Sequence, residues 1–150
     1  MEIISQQCYE LNNLISISRK CTAAEFHKIL VDMAKTYKDY SVENGDYVIT
    51  TTKSLEVVNE EQVLDVEILM PVNYRMPVVE PYIFKNRLKL TNALYAKITD
   101  VTKLQDAINM VNQYILDQQL QPITSAYLVQ TKKDNQPYVE IYIGINPNIL

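Results

Sequence analysis

The sequence predicts an α+β fold. A strand–helix–strand–strand module occurs twice, the copies related by a pseudo-twofold, with helices on one face of an antiparallel sheet and a concave groove on the other. Three observations predict it. The last strand, Tyr138–Ile145, alternates throughout: Val139, Ile141, Ile143 and Ile145 point one way, and Tyr138, Glu140, Tyr142 and Gly144 the other. It has a twin earlier in the chain, where Val66-Glu67-Ile68 matches Val139-Glu140-Ile141 and the alternation runs on to Val72. Finally, two helical apolar stripes stand at one fixed spacing. Phe26, Ile29, Leu30, Met33 and Tyr37 form the first, and Leu104, Ala107, Ile108, Val111 and Ile115 the second.

In chain order, Tyr9 to Lys20 opens with a period-two strand through Leu14, Ile15, Ser16, Ile17 and Ser18. Thr22-Ala23-Ala24-Glu25 is a capping box, in which the hydroxyl takes an orphan backbone N–H and the glutamate reaches back to the cap. The first stripe follows, and Glu43-Asn44-Gly45-Asp46 is a turn signal that ends the helix. Tyr47–Thr52 is a strand by its β-branched content. Lys53–Gln62 reads as a polar loop, and Val63–Val72 as the strand carrying the first Val-Glu-Ile. Residues 73–86, with Pro77 and Pro81 and no periodicity, form a linker. The plan then restarts with an extended segment at Arg87–Ile98 and a helix capped by Asp100, with Pro122 just beyond its end. A strand at Ala126–Gln130, a turn at Lys133–Pro137 and the last strand complete it. Residues 1–150 are thus one domain made of two repeats, about 9–72 and 87–146.

The spacing supports duplication. Phe26 to Leu104, Leu30 to Ile108, Met33 to Val111, Tyr37 to Ile115 and Thr22 to Asp100 are all 78 apart. Glu67 to Glu140 is 73, which requires a hairpin connection five residues shorter in the second copy. The first strands align at 78 or at 79, the latter matching Asn13 with Asn92, and the register stays open.

Composition excludes several classes. A net charge of −4 and scattered Lys and Arg argue against a nucleic-acid backbone as partner. No apolar run reaches the length of a membrane span, and the N-terminal residues lack the pattern of a secretion signal, so a cytoplasmic location is expected. Two glycines leave no phosphate-cradling loop, and no cofactor motif is present. Cys8, Cys21 and the single His27 form no metal spacing, so no metal site is expected; free thiols and a surface histidine are the plain reading.

What remains is an acid among tyrosines. If the apolar faces of the last strands pack on the helices, Glu67 and Glu140 lie on the other face near the shared axis, with Tyr138, Tyr142 and Leu69 around them. Tyr95 and Tyr127 reach the groove or the core, depending on the open register. Ring faces attract a cation and a carboxylate neutralises it, so the groove suits an amphipathic, cationic ligand. The plain alternative is that both glutamates are ordinary residues on a solvated sheet face. Gly144 and Pro71, at equivalent positions, each suggest a bulge, a strand end or a close approach.

The duplicated plan, closed by Val-Glu-Ile-Tyr-Ile-Gly-Ile, resembles the GyrI-like (gyrase-inhibitory-protein-like) superfamily, which includes effector-binding domains of multidrug-responsive regulators. The resemblance covers about residues 9 to 146. Members close with a V-E-I-Y-I-P-I-like strand; Met70-Pro71-Val72 keeps the proline here, and Gly144 replaces it in the second copy. The resemblance implies a small-molecule-binding module in which Glu140, then Glu67, is the acid of the cleft that meets cationic aromatic ligands. No DNA-reading helix-turn-helix is evident, so a stand-alone member is expected.

The ligand-binding residues expected are Glu140, Tyr142, Tyr138, Glu67, Leu69, Tyr95 and Tyr127. The alternative function is an adaptor or targeting factor for a protein partner. That partner would be held through the sheet face, the linker or the amide-rich second helix, in a setting that includes secreted toxin systems. A hydrolase using Glu140 is the third reading, but a lone acid with no second group at known spacing argues against an enzyme. Oligomeric state is not legible.

Overall fold

The computed structural model describes residues 1–42 and 46–147. Eight main elements follow in order: β1 (Ile3–Cys21), α1 (Ala23–Tyr37), β2 (Val48–Val58), β3 (Glu61–Pro71), β4 (Ile83–Ile98), α2 (Leu104–Asp117), β5 (Tyr127–Lys133) and β6 (Gln136–Gly144). The fold is α+β with antiparallel strands, and each half runs strand, helix, strand, strand. The turn expected at Glu43-Asn44-Gly45 lies outside the described residues. Two compact units are present: Leu11–Leu88, called the first, and Met1–Glu10 with Lys89–Leu150, called the second.

In the first unit β3 pairs with β1 on one side and β2 on the other. Helix α1 begins as the capping box requires. Thr22 Oγ1 accepts from Glu25 N at 3.3 Å, and Glu25 Oε1 accepts from Thr22 N at 3.0 Å. The stripe from Phe26 to Tyr37 packs on Ile15, Ile17, Ile68, Met70 and Val72, forming the core of this unit.

The second unit repeats the arrangement, with β6 between β4 and β5. Leu104, Ala107, Ile108, Val111 and Ile115 of α2 pack on Leu94, Ala96, Ile98, Val139, Ile141, Ile143 and Ile145. Asp100 is a cap, but of a short 3₁₀ turn, Val101–Lys103, that precedes α2; its carboxylate accepts from Thr102 N at 3.1 Å. Among the described residues no helix is long and apolar enough to cross a membrane.

Hydrogen bonds decide the register of the first strands. Val72 N donates to Asn13 O, and Ile145 N donates to Asn92 O, both at 2.8 Å. Asn13 therefore corresponds to Asn92, an offset of 79, and Ser16 to Tyr95.

Several boundaries differ from expectation, among them the turn expected at Lys133–Pro137, where Lys133 ends β5 and Gln136 and Pro137 begin β6. β1 begins at Ile3, ahead of Tyr9, and Gln6 takes a left-handed φ of 57° within it. β4 begins at Ile83, inside the segment 73–86 read as linker. The largest correction concerns Lys53–Gln62, which is not a loop. β2 and β3 pair outward to Val58–Glu61, and Asn59 and Glu60 form a two-residue turn with φ of 51° and 68°. The second hairpin turns in the same way at Asp134 and Asn135, with φ of 53° and 61°. Positive φ at both central residues matches the twist of paired strands. One bulged residue, Lys53, and two further cross-strand pairs in the first hairpin account for the five-residue difference. The outer part of the arm is largely exposed even at Leu55, Val57 and Val58, so its few apolar residues are mixed with polar ones and mark no core face.

Gly144 and Pro71 each end a strand. At Gly144 the reason is a close approach. Its N–H donates to Thr124 Oγ1 at 2.9 Å, and a Cβ there would lie 2.9 Å from Thr124 Cγ2.

Candidate functional site

Because Val139, Ile141 and Ile143 face α2, the alternate residues of β6 face away from it. The strand register then builds rows across the second unit. Tyr127, Tyr142 and Tyr95 stand side by side on β5, β6 and β4, and Val129, Glu140 and Lys97 form the next row. Tyr138 follows on β6, opposite Thr131. Five of the expected residues, Glu140, Tyr142, Tyr138, Tyr95 and Tyr127, thus share one face of one unit.

The tyrosines of that face pack on each other. The Tyr142 ring lies 5.0 Å from that of Tyr95, tilted by 39°. On another side it is stacked at 4.3 Å and 22° on Tyr9, from the part of β1 that belongs to this unit. Tyr9 and Tyr142 are both buried. Tyr9 was not among the expected residues, since nothing local in Tyr9-Glu10-Leu11 tells that its ring reaches β6.

Glu140 is half-buried, and Tyr95 Oη donates to its Oε2 at 2.6 Å. Burial first, then this hydrogen bond and the negative charge of Glu140, hold the Tyr95 phenol well above its ordinary pKa. It is therefore a fixed donor at any ordinary pH. Lys97 is the cross-strand partner of Glu140, yet its Nζ lies 4.3 Å from the centroid of the Tyr138 ring. A cavity of about 330 Å³ adjoins this end, lined in part by Lys97, Tyr138 and Lys133. A second, of about 510 Å³, lies by Asn92, Tyr114, Gln118 and Asn146.

Glu67 occupies the matching position in the first unit, with a matching donor: Ser16 Oγ gives its hydrogen to Glu67 Oε2 at 2.7 Å. Here a lysine is added, and Lys85 Nζ lies 2.5 Å from the same oxygen. Burial alone would raise the pKa of Glu67. The hydrogen bonds from Lys85 and Ser16, and the charges of Lys85 and Lys53, outweigh it and hold the carboxyl below its ordinary value. Glu67 is 3% exposed and Leu69 1%, so the first-unit pair is closed where Glu140 is partly open.

Among the described residues no group of three His, Cys, Asp or Glu could hold a metal ion. His27 is exposed on α1, and Cys8 and Cys21 are free thiols.

No family model matches the chain, and no curated protein matches it significantly. Solved structures do. The EcmrR C-terminal domain aligns with a TM-score of 0.60 at 15% identity, covering 97% of this chain and 99% of that one. The fold is that of the EcmrR C-terminal domain. It agrees with the GyrI-like architecture that the sequence resembles. EcmrR in its complex with DNA aligns with a TM-score of 0.66 at 15% identity, over 96% of this chain. This chain spans only 57% of that EcmrR chain. SAV2435 bound to tetraphenylphosphonium aligns with a TM-score of 0.49 at 11% identity, covering 98% and 95%, a likeness too weak to argue from.

Proposed function

We propose that the tyrosine face of the second unit binds an amphipathic, cationic small molecule, with Glu140 as the charge partner, Tyr95, Tyr138 and Tyr127 as its lining and the buried Tyr142 holding Tyr95 in place. One observation carries the reading. Glu140 is a half-buried carboxylate that, among the described residues, accepts a single hydrogen bond, from Tyr95. An ionised carboxylate accepts about four, so most of the capacity of this acid is left over for a ligand. That is the chemistry of a receptor for a weakly hydrated cation: the ring faces attract charge and the acid neutralises it. Resemblance to effector-binding domains points the same way. Glu67 and Leu69 do not enter the proposal, because Lys85 and Ser16 already satisfy the acid and both side chains are closed to solvent.

The reading is of binding and not of turnover. The group hydrogen-bonded to Glu140 is a phenol held protonated, which makes it a donor to the carboxylate and a poor partner for a proton relay. The test is equilibrium binding of tetraphenylphosphonium against tetraphenylborate, which has the same shape and the opposite charge. Preference for the phosphonium supports the reading; equal binding or preference for the borate contradicts it.

A specific observation favours a second reading. On the amide-rich outer side of α2, Met110 is 52% and Leu116 71% exposed. Apolar side chains among neutral amides suit a protein partner better than water. Co-purification of a partner that is lost on Met110→Lys or Leu116→Lys, with no response to either tetraphenyl ion, would favour this reading over the first.

A further inference from the structure

We propose that Lys97 is the specificity-setting residue of this face: its ammonium occupies the cation position over Tyr138 and must leave before a ligand cation can take it. The inference rests on the cation-binding reading above and deepens it.

The geometry is unusual for a simple ion pair. Lys97 and Glu140 are directly opposed on β4 and β6, where lysine and glutamate commonly pair. No ion pair joins them. Both β4 side chains lean the same way along the ladder instead. Tyr95, opposite Tyr142, reaches diagonally to Glu140; Lys97, opposite Glu140, reaches diagonally to Tyr138. Tyr95 Oη holds one carboxylate oxygen, and the ammonium settles 4.3 Å from the neighbouring ring centroid, well inside cation–π range. Ring and carboxylate, the two halves of a cation receptor, thus stand on alternate residues of β6, and the ring half is already filled.

The first unit supports this assignment. At the equivalent acid, Glu67, the chain also supplies its own ammonium, Lys85, which sits directly on the carboxylate. There the acid is buried and the lysine is held on it, whereas Lys97 is exposed, makes no ion pair with Glu140 and has solvent to retreat into. A lysine paired directly with a buried acid makes the first site structural; an exposed lysine held only over a ring makes the second site gated. Lys97 also sets a charge threshold, because a ligand must bring enough aromatic surface or charge to outcompete an ammonium tethered beside the site.

The experiment compares tetraphenylphosphonium and tetraphenylborate binding by calorimetry to the full chain and to K97M, K97R and K133M. K97M keeps the aliphatic stem and removes the charge. Loss of an exposed cation–π competitor gives about two- to fivefold tighter phosphonium binding in K97M. Borate should bind K97M no more tightly than the unaltered chain. K97R keeps a cation over the ring and should bind phosphonium as the unaltered chain does. Lys133 lines the same cavity, so K133M reports the effect of net charge alone and should change affinity by less than K97M. Equal phosphonium affinity in K97M and the unaltered chain, or an equal gain in K133M, overturns the role of Lys97 and leaves the binding reading intact. Absence of phosphonium binding in all four proteins overturns the binding reading itself.

Discussion

Tyr95 gives its phenolic hydrogen to Glu140 Oε2 diagonally across the β4–β6 ladder, one row from its own cross-strand partner Tyr142. Ser16 does the same to Glu67 Oε2 across β1–β3, one row from Leu69. Two hydroxyls of different residue types thus meet two acids at corresponding positions. The shared device is the diagonal donor; what differs is its consequence. A serine beside a lysine closes the first acid, and a tyrosine among tyrosines leaves the second half open.

Removing the donor at the open site tests its contribution. Tyr95→Phe keeps the ring against Tyr142 and deletes the hydrogen bond. The expected loss is about 1 kcal/mol, since the acid is half-buried and water can replace the phenol. For a chain of this size that lowers Tm by about 2–4 °C. Differential scanning calorimetry reads it, and an unchanged Tm would mean that the bond contributes nothing net.

The closed acid responds differently. Lys85→Met leaves the Glu67 charge with Ser16 as its remaining hydrogen-bond donor in an environment where it is 3% exposed. The expected cost is about 3 kcal/mol, the low end for a buried pair broken on one side because Lys85 itself is partly exposed. Replacing both, as in Glu67→Leu with Lys85→Met, should recover much of the loss. Urea denaturation of the two single variants and the double variant measures the coupling.

The same acid sets a pH dependence. Its folded pKa lies below its ordinary value of 4.5, so its stabilisation is fully present above that value and is lost as pH falls through the lowered folded one. The unaltered chain should lose stability below about pH 4.5, and the stability difference from Glu67→Gln should shrink over the same range. A difference that stays constant down to pH 3 would contradict the assignment.

Much of this fold was legible and some of it was not. Both helices, the capping box and the two Val-Glu-Ile strands announced themselves because each has one wet and one dry face, which writes a period into the sequence. The β2–β3 arm did not, because both its faces are wet and its ladder is held by backbone hydrogen bonds that any side chain permits. Lys85 and Tyr9 were missed for a related reason. Each partner, Glu67 or Tyr142, is reached through folding and not through spacing. Glu140, Tyr142 and Tyr138 could be placed on one face from the alternation of β6 alone. Tyr95 needed the strand register, which only the Asn13–Val72 and Asn92–Ile145 hydrogen bonds decide.

The hairpin turns offer a check on that account of the arm. Glu60 holds a φ of 68°, a conformation that costs an ordinary L-residue about 1 kcal/mol and glycine little. Glu60→Gly converts the turn to Asn-Gly, the preferred pair for a two-residue hairpin. It should raise stability by about 0.5–1 kcal/mol, read as a higher urea midpoint at unchanged slope. A lower midpoint would mean that the segment is a loop after all.

The central claim is that Glu140 is a charge partner for a ligand. The most direct measurement is calorimetric titration of Glu140→Gln with tetraphenylphosphonium, alongside its melting curve. The account predicts binding lost or weakened by at least tenfold, with Tm within about 2–4 °C of the unaltered chain, because the amide oxygen can still accept from Tyr95. Undiminished phosphonium affinity in a folded Glu140→Gln protein would contradict it.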